Sequence, residues 1–128
     1  ALDGRDHEVI DPATEEPCAI IALGGQADTD AAVAAAKRAL PGWMATPAAE
    51  RIALVEKLLA VYKSRAEELA QAMSLEMGAP IALARANQVG AGLFHLQNFV
   101  NAAKEFDFEA PFSEAHADTH MIHEAIGV

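Results

Sequence analysis

Three histidines, His116, His120 and His123, stand near the end of the 128-residue chain at spacings that could suit a metal ion. On a helix they would share a face. The run "DTHMIHEAIGV" instead reads as extended, which puts His120 and His123 on opposite sides of a strand. "HEAIG" also fails the H-E-x-x-H pattern, because Gly127 stands where the second histidine is needed. Cys18 is the one thiol. As a nucleophile it would need a histidine or a helix N-terminus to lower its pKa. It stands instead at the head of "CAIIAL" with Glu15 and Glu16 nearby, whose charge disfavours a thiolate, so ordinary packing is expected. "VGAGLFH" holds two glycines of a G-x-G-x-x-G, but His95 takes the third place. It also lies within a helical pattern, not at the strand-to-helix turn that cradles a dinucleotide, so close helix packing is the expected role. His95 lies among apolar neighbours and reads as a packing histidine, Trp43 as an inter-helix anchor. The charges of "EKLLAVYKSRAEE" read as a solvated helix face with a few i,i+4 pairs. No catalytic, cofactor-binding or metal-ligating residue is assigned from these patterns.

The elements that would carry these residues are mostly helical. "EVIDPATEEPCAIIAL" reads as a β-hairpin, with Val9 and Ile10 in one strand, Cys18 to Leu23 in the other, and turn chemistry at Asp11, Pro12 and Thr14. "ADTDAAVAAAKRALPGW" is a helix capped by Asp28 or Thr29 and stopped by Pro41 and Gly42, with Val33, Ala36 and Leu40 as its apolar stripe. A second helix is expected from Thr46 as N-cap and Pro47 at the first position, running to about Met77. Ile52, Val55, Leu59, Tyr62, Ala66, Leu69 and Met73 give it one continuous face, and Leu54, Leu58 and Val61 lie beside it as a second stripe. Gly78 can turn left-handed to end that helix, and Pro80 opens a third that runs to about Lys104 and contains Ala86, Gly90, Ala91 and Gly92. "EFDFEAPFSEA" reads as a linker broken by Pro111, followed by a terminal strand without a visible partner. The second apolar stripe and the unpaired strand both point to missing neighbours, from the same polypeptide or another subunit. The absent initiator Met fits trimming or an excised segment.

Composition narrows the function classes. The formal net charge is −10, which opposes nucleic-acid binding and anionic membrane surfaces. No apolar run has the length of a membrane span, and "ALDGRDHEV" is too polar for a secretory signal. A lone cysteine forms no internal disulfide and fits a reducing, cytoplasmic compartment.

The order of motifs carries further. "VIDPATEEPCAIIALGGQADTDAAVAAAKRALPGW" resembles the start of the aldehyde dehydrogenase superfamily, with its Asp-Pro-Ala-Thr hairpin, "AD-x-D-AAV-x-AA" helix and Trp. "TPAAERIALVEKLLAVYKSRAEELAQAMSLEMGAPIALA" resembles the helix that follows, from its "ER" start to its "E-x-GAP" end, and "HEAIGV" is similar to the family's "REPIGV". The likeness spans about Val9 to Val128 and is weak between Asn101 and Thr119.

The resemblance implies an α/β aldehyde dehydrogenase-like fold of which this chain is the mainly helical N-terminal part: a hairpin, three helices and a terminal strand. Residues 1–110 would belong to the cofactor-binding domain and 111–128 to a linker and the start of the oligomerisation strand. The implied parent uses NAD or NADP: a thiolate attacks the aldehyde, hydride passes to the nicotinamide, and a Glu-activated water hydrolyses the thioester. Those residues fall after "IGV", so none maps here; Cys18 matches the hairpin, not the nucleophile. The segment alone is expected to bind no cofactor. Its implied partners are the rest of its polypeptide and a second subunit paired through residues 119–128, with no nucleic acid or membrane. The alkali-cation carboxylate of many members has no counterpart in "ANQVGAG", and Ala125 replaces the usual Pro. The alternative is a free-standing, non-catalytic helical interaction module.

Overall fold

The computed structural model describes residues 5–128. Strand β1 (Arg5–Asp11) pairs antiparallel with β2 (Glu16–Leu23). The register runs from Arg5↔Leu23 to Val9↔Ala19, then slips to Ile10↔Pro17, which leaves Cys18 as the extra residue of a bulge. The turn is built as its residues dictate: Asp11 Oδ1 accepts the Ala13 N–H at 2.8 Å, and Glu15 takes a left-handed φ of 61°.

Helix α1 (Gln26–Ala45) begins after Gly25, whose N–H donates to Asp28 Oδ2 at 2.8 Å. Asp28 thus works from the third helical position rather than as the cap residue. Pro41 and Gly42 do not stop α1; Pro41 sits inside it. Its fixed φ is helical, and only the bond to Lys37 O is lost. The helix ends at Thr46, whose hydroxyl donates to Gly42 O at 3.0 Å, so Thr46 closes α1 instead of capping the next helix. Pro47 takes the cap position of α2 (Ala48–Ser64).

The long second helix is broken. Arg65 leaves helical geometry at φ −108°, ψ 14°, and α3 (Ala66–Met77) starts after it. The Ser64 hydroxyl donates to Val61 O at 2.8 Å and competes with the backbone ladder at that point. The apolar seam continues across the break: Tyr62, Ala66, Leu69 and Met73 all pack on the buried cluster Ala70, Ala84 and Val89. After Gly78 come α4 (Ile81–Leu83), a π-helical turn (Ala84–Gln88) and α5 (Val89–Glu105). Leu59 and Val100 complete the five buried apolar residues among the described ones.

The expected linker contains a strand. Strand β3 (Glu109–Ser113) pairs with β4 (His116–Ile122) from Glu109↔Ile122 to Ser113↔His116. The terminal strand therefore has a partner within the chain, and it lies earlier than residues 119–128. Pro111 is tolerated because β3 has a free outer edge.

Little of this surface is closed. The chain exposes 9492 Å², where a compact monomer of its mass exposes about 6500 Å². No residue of α1 is buried. Leu54, Leu58 and Val61 remain about half exposed on α2, and Phe94 and Phe99 more so on α5.

Candidate functional site

The corner at Gly78 is built for backbone geometry. Gly78 has φ +70°, and its N–H donates to Ser74 O at 3.0 Å; Ser74 Oγ then donates to Ala79 O at 2.8 Å. A Cβ on Gly78 would lie 2.7 Å from Pro12 Cγ, so the first hairpin's turn rests on this corner. The Asp-Pro-Ala-Thr turn and the "E-x-GAP" corner, distant in sequence, thus form one contact.

The glycines of "VGAGLFH" lie inside α5 and follow the π-turn, not a strand. They divide in role. A Cβ on Gly92 would stand 2.8 Å from Tyr62 Cζ and nearer still to its hydroxyl, while nothing lies within 4 Å of one on Gly90. Gly92 therefore admits the Tyr62 ring, whose hydroxyl donates to Val89 O at 3.3 Å. The close approach is by a side chain, not a neighbouring backbone. These residues do not fit a nicotinamide dinucleotide, which needs free N–H groups at the start of a helix.

The structure keeps the histidines apart. His116 Nδ1 lies 3.0 Å from Ser113 Oγ, His120 Nδ1 lies 2.9 Å from Glu109 Oε1, and His123 packs edge-on to Phe106. Among the described residues no three His, Cys, Asp or Glu side chains converge as a metal set. Cys18 Sγ donates to Val9 O at 3.4 Å in the bulge and meets no histidine in its described contacts. His95 is exposed, edge-on to Phe94, so the packing role expected from its apolar neighbours is not seen. α5 turns it away from the core that Val89 and Val100 occupy.

Two ion pairs hold the helices. Glu67 on α3 accepts two hydrogen bonds from Arg85 in the π-turn, at 2.6 and 2.9 Å, and another from Gln71 at 2.8 Å. The Arg85 bonds, then the Gln71 bond, hold its carboxyl down to about 2. Glu56 on α2 meets Lys104 on α5 at 2.5 Å. Neither pair has a local spacing signal; their partners are 18 and 48 positions apart. The buried Gln88 Oε1, in the π-turn, has no hydrogen-bond partner among the described residues.

Trp43 reaches the junction of α1, α2 and α5. With Arg51, Ile52, Val55, Phe99 and Val100 it lines an apolar hollow of about 240 Å³. Trp43 itself stays 47% exposed, so it lines this hollow without being buried between the helices.

These pieces are a hairpin turn seated on a glycine corner, helices closed by a tyrosine on a glycine, and a half-filled junction. Residues 2–128 match the model of the "Aldehyde dehydrogenase family". The chain belongs to the aldehyde dehydrogenase family. A 3-succinoylsemialdehyde-pyridine dehydrogenase of Pseudomonas sp is 38% identical over 125 residues, 97% of this chain and 25% of that protein. The aldehyde dehydrogenase of Bartonella henselae superposes with a TM-score of 0.82 at 45% identity, covering 86% of this chain and 23% of that one. The aldehyde dehydrogenase AldC of Pseudomonas syringae, a C291A mutant crystallised with NAD+ and octanal, gives 0.82 at 40% identity, covering 85% and 22%. The chain thus spans about a quarter of the length of these relatives. The α/β fold expected from the motif order is the fold they share. Among the described residues no helix is long and apolar enough to cross a membrane.

Proposed function

We propose that this chain is the N-terminal, non-catalytic part of an NAD(P)-dependent aldehyde dehydrogenase that oxidises an aldehyde to a carboxylic acid. The family match and the share of the relatives covered support this reading. The observation that carries it is the open surface: the chain exposes in all about 3000 Å² more than a compact monomer of this mass, with Leu54, Leu58, Val61, Phe94 and Phe99 exposed on it. Residues 1–110 are assigned to the hairpin and helices that pack beside the cofactor domain. Residues 111–128 lead into the oligomerisation region, and a second subunit pairs near 119–128 in a cytoplasmic homo-oligomer. No residue of this chain is assigned to catalysis, cofactor or metal; NAD or NADP is held by the rest of the polypeptide.

The test is the intact mass of the natural polypeptide under denaturing conditions, with aldehyde-dependent NAD(P)H formation assayed on the same material. A mass several times 13.5 kDa together with activity is expected. A 13.5 kDa chain that reduces NAD(P)+ alone would overturn the structural role. A chain of that mass without activity would favour the free-standing interaction module.

A further inference from the structure

In the second hairpin, positive charge can come only from histidines. Residues 105–128 carry six carboxylates, Glu105, Asp107, Glu109, Glu114, Asp118 and Glu124, and neither Lys nor Arg. His116, His120 and His123 are the only side chains there that can become cationic. An unperturbed imidazole takes up its proton at about pH 6.5, well above the range of a carboxylate.

Strand pairing decides which of these groups meet. Pro111 lies opposite His120, and Ser113 opposite His116. The two-residue period puts Glu109, Pro111 and Ser113 of β3 on one face with His116, Asp118 and His120 of β4. On that face His120 Nδ1 stands 2.9 Å from Glu109 Oε1, and His116 Nδ1 stands 3.0 Å from Ser113 Oγ beside the turn. The helices bring their cations only to the base of the hairpin. Arg51 shares a hollow there with His123 and Glu124, and Lys104 shares another with Phe106 and Phe108 while paired to Glu56. Among the described residues β3 and β4 pack extensively only on each other, and β4 is exposed along its whole length. A two-stranded hairpin is marginal in water, so a single cross-strand pair weighs in its closure.

We infer that β3–β4 is a pH-sensitive hairpin, tightened when a cationic His120 is tied to Glu109 and loosened when that imidazole loses its proton. With His120 neutral the pair is one hydrogen bond at most, and the carboxylates of the segment repel one another uncompensated. With His120 charged it is a charge-assisted bond joining the two strands. The paired form is the protonated one, so the stabilisation is present below about pH 6.5 and fades as pH rises past it. Among the described residues both outer edges of this sheet are unpaired. An added strand needs a closed hairpin to lie against, so acid favours the form that can accept one. This device goes beyond the dehydrogenase reading and does not depend on it.

The test is hydrogen–deuterium exchange, followed by mass spectrometry, on the natural polypeptide that carries this chain. Peptides covering residues 109–122 are read, and rates are corrected for the intrinsic effect of pH on exchange. Protection is expected to fall by about two- to fivefold between about pH 5.5 and about pH 8, the range of one cross-strand charge pair. His120→Gln and Glu109→Gln should each hold protection at the lower level at both pH values, while His116→Gln should keep the wild-type fall. All three positions are exposed, and circular dichroism checks that the variants fold. Protection that is equal at both pH values in the wild type overturns the inference. So does a fall that survives His120→Gln, or one that His116→Gln removes. None of these results bears on the family membership or on the proposed function.

Discussion

Gly90 and Gly92 lie on the same helix, and the same substitution should act on them in opposite directions. Replacing a helical Gly by Ala is worth about 1 kcal/mol in propensity. At Gly90 the new methyl meets nothing within 4 Å, so Gly90→Ala should realise most of that gain. At Gly92 it would stand 2.8 Å from Tyr62 Cζ and closer to the hydroxyl. Overpacking costs about 1–3 kcal/mol, and shifting the ring forfeits the hydrogen bond to Val89 O, worth about 1 kcal/mol. Less the propensity gain, Gly92→Ala should destabilise by about 1–3 kcal/mol. Urea unfolding followed by circular dichroism reads this directly. With a slope of about 2 kcal/mol/M, each kcal/mol moves the midpoint by about 0.5 M. Gly90→Ala should move it up and Gly92→Ala down. In the Tyr62→Phe background the Gly92→Ala penalty should shrink, since the nearest clashing atom is gone. Midpoints that move in the same direction for both glycines would refute the assignment of Gly92 to the Tyr62 contact.

At the corner, Gly78→Ala combines a left-handed backbone cost of about 1–2 kcal/mol with a clash against Pro12. The urea midpoint should fall, and a midpoint unchanged from wild type would remove Pro12 from the corner. Glu67 titrates at about 2 because Arg85 favours its charged form. Its folded pKa lies below its unfolded one, so the stabilisation is present above the ordinary carboxylate range and is lost as pH falls from about 4.5 towards 2. Carbon-detected NMR should place its midpoint there, and Arg85→Gln should return it toward normal. Pro41 lies within a helix that buries nothing, so Pro41→Ala should raise helicity and stabilise α1 by up to about 3 kcal/mol; a loss of helix would show that Pro41 makes a contact worth more than its missing bond.

The elements legible in the sequence were those fixed by local chemistry. The hairpin turn follows from Asp11 and Pro12, and the left-handed corner from Gly78. The seam from Ile52 to Met73 follows from helical period, and it survives the break at Arg65 because burial, not helix continuity, sets which residues face inward. That break had no Gly or Pro to announce it; it arises where a serine hydroxyl competes with the ladder. Strand β3 did leave a signal, since Phe106, Phe108, Ala110 and Phe112 alternate along the expected linker. Pro111 interrupts that pattern as a linker proline would, yet an edge strand can hold a proline.

The site was less legible for a different reason. Arg51 reads as the middle of "AERIAL", an ordinary helical arginine, and nothing in its spacing tells a paired guanidinium from a free one. Its surroundings are set by Trp43 at the end of α1 and by Phe99 from α5 and Phe108 before β3, the last two about fifty positions away in the chain. Pairing is a property of the folded neighbourhood, as it is for Glu67 and Arg85. The same holds for the apolar excess. A second stripe on a helix is visible in the sequence, but only the surface left after folding shows that the chain's own elements do not cover it.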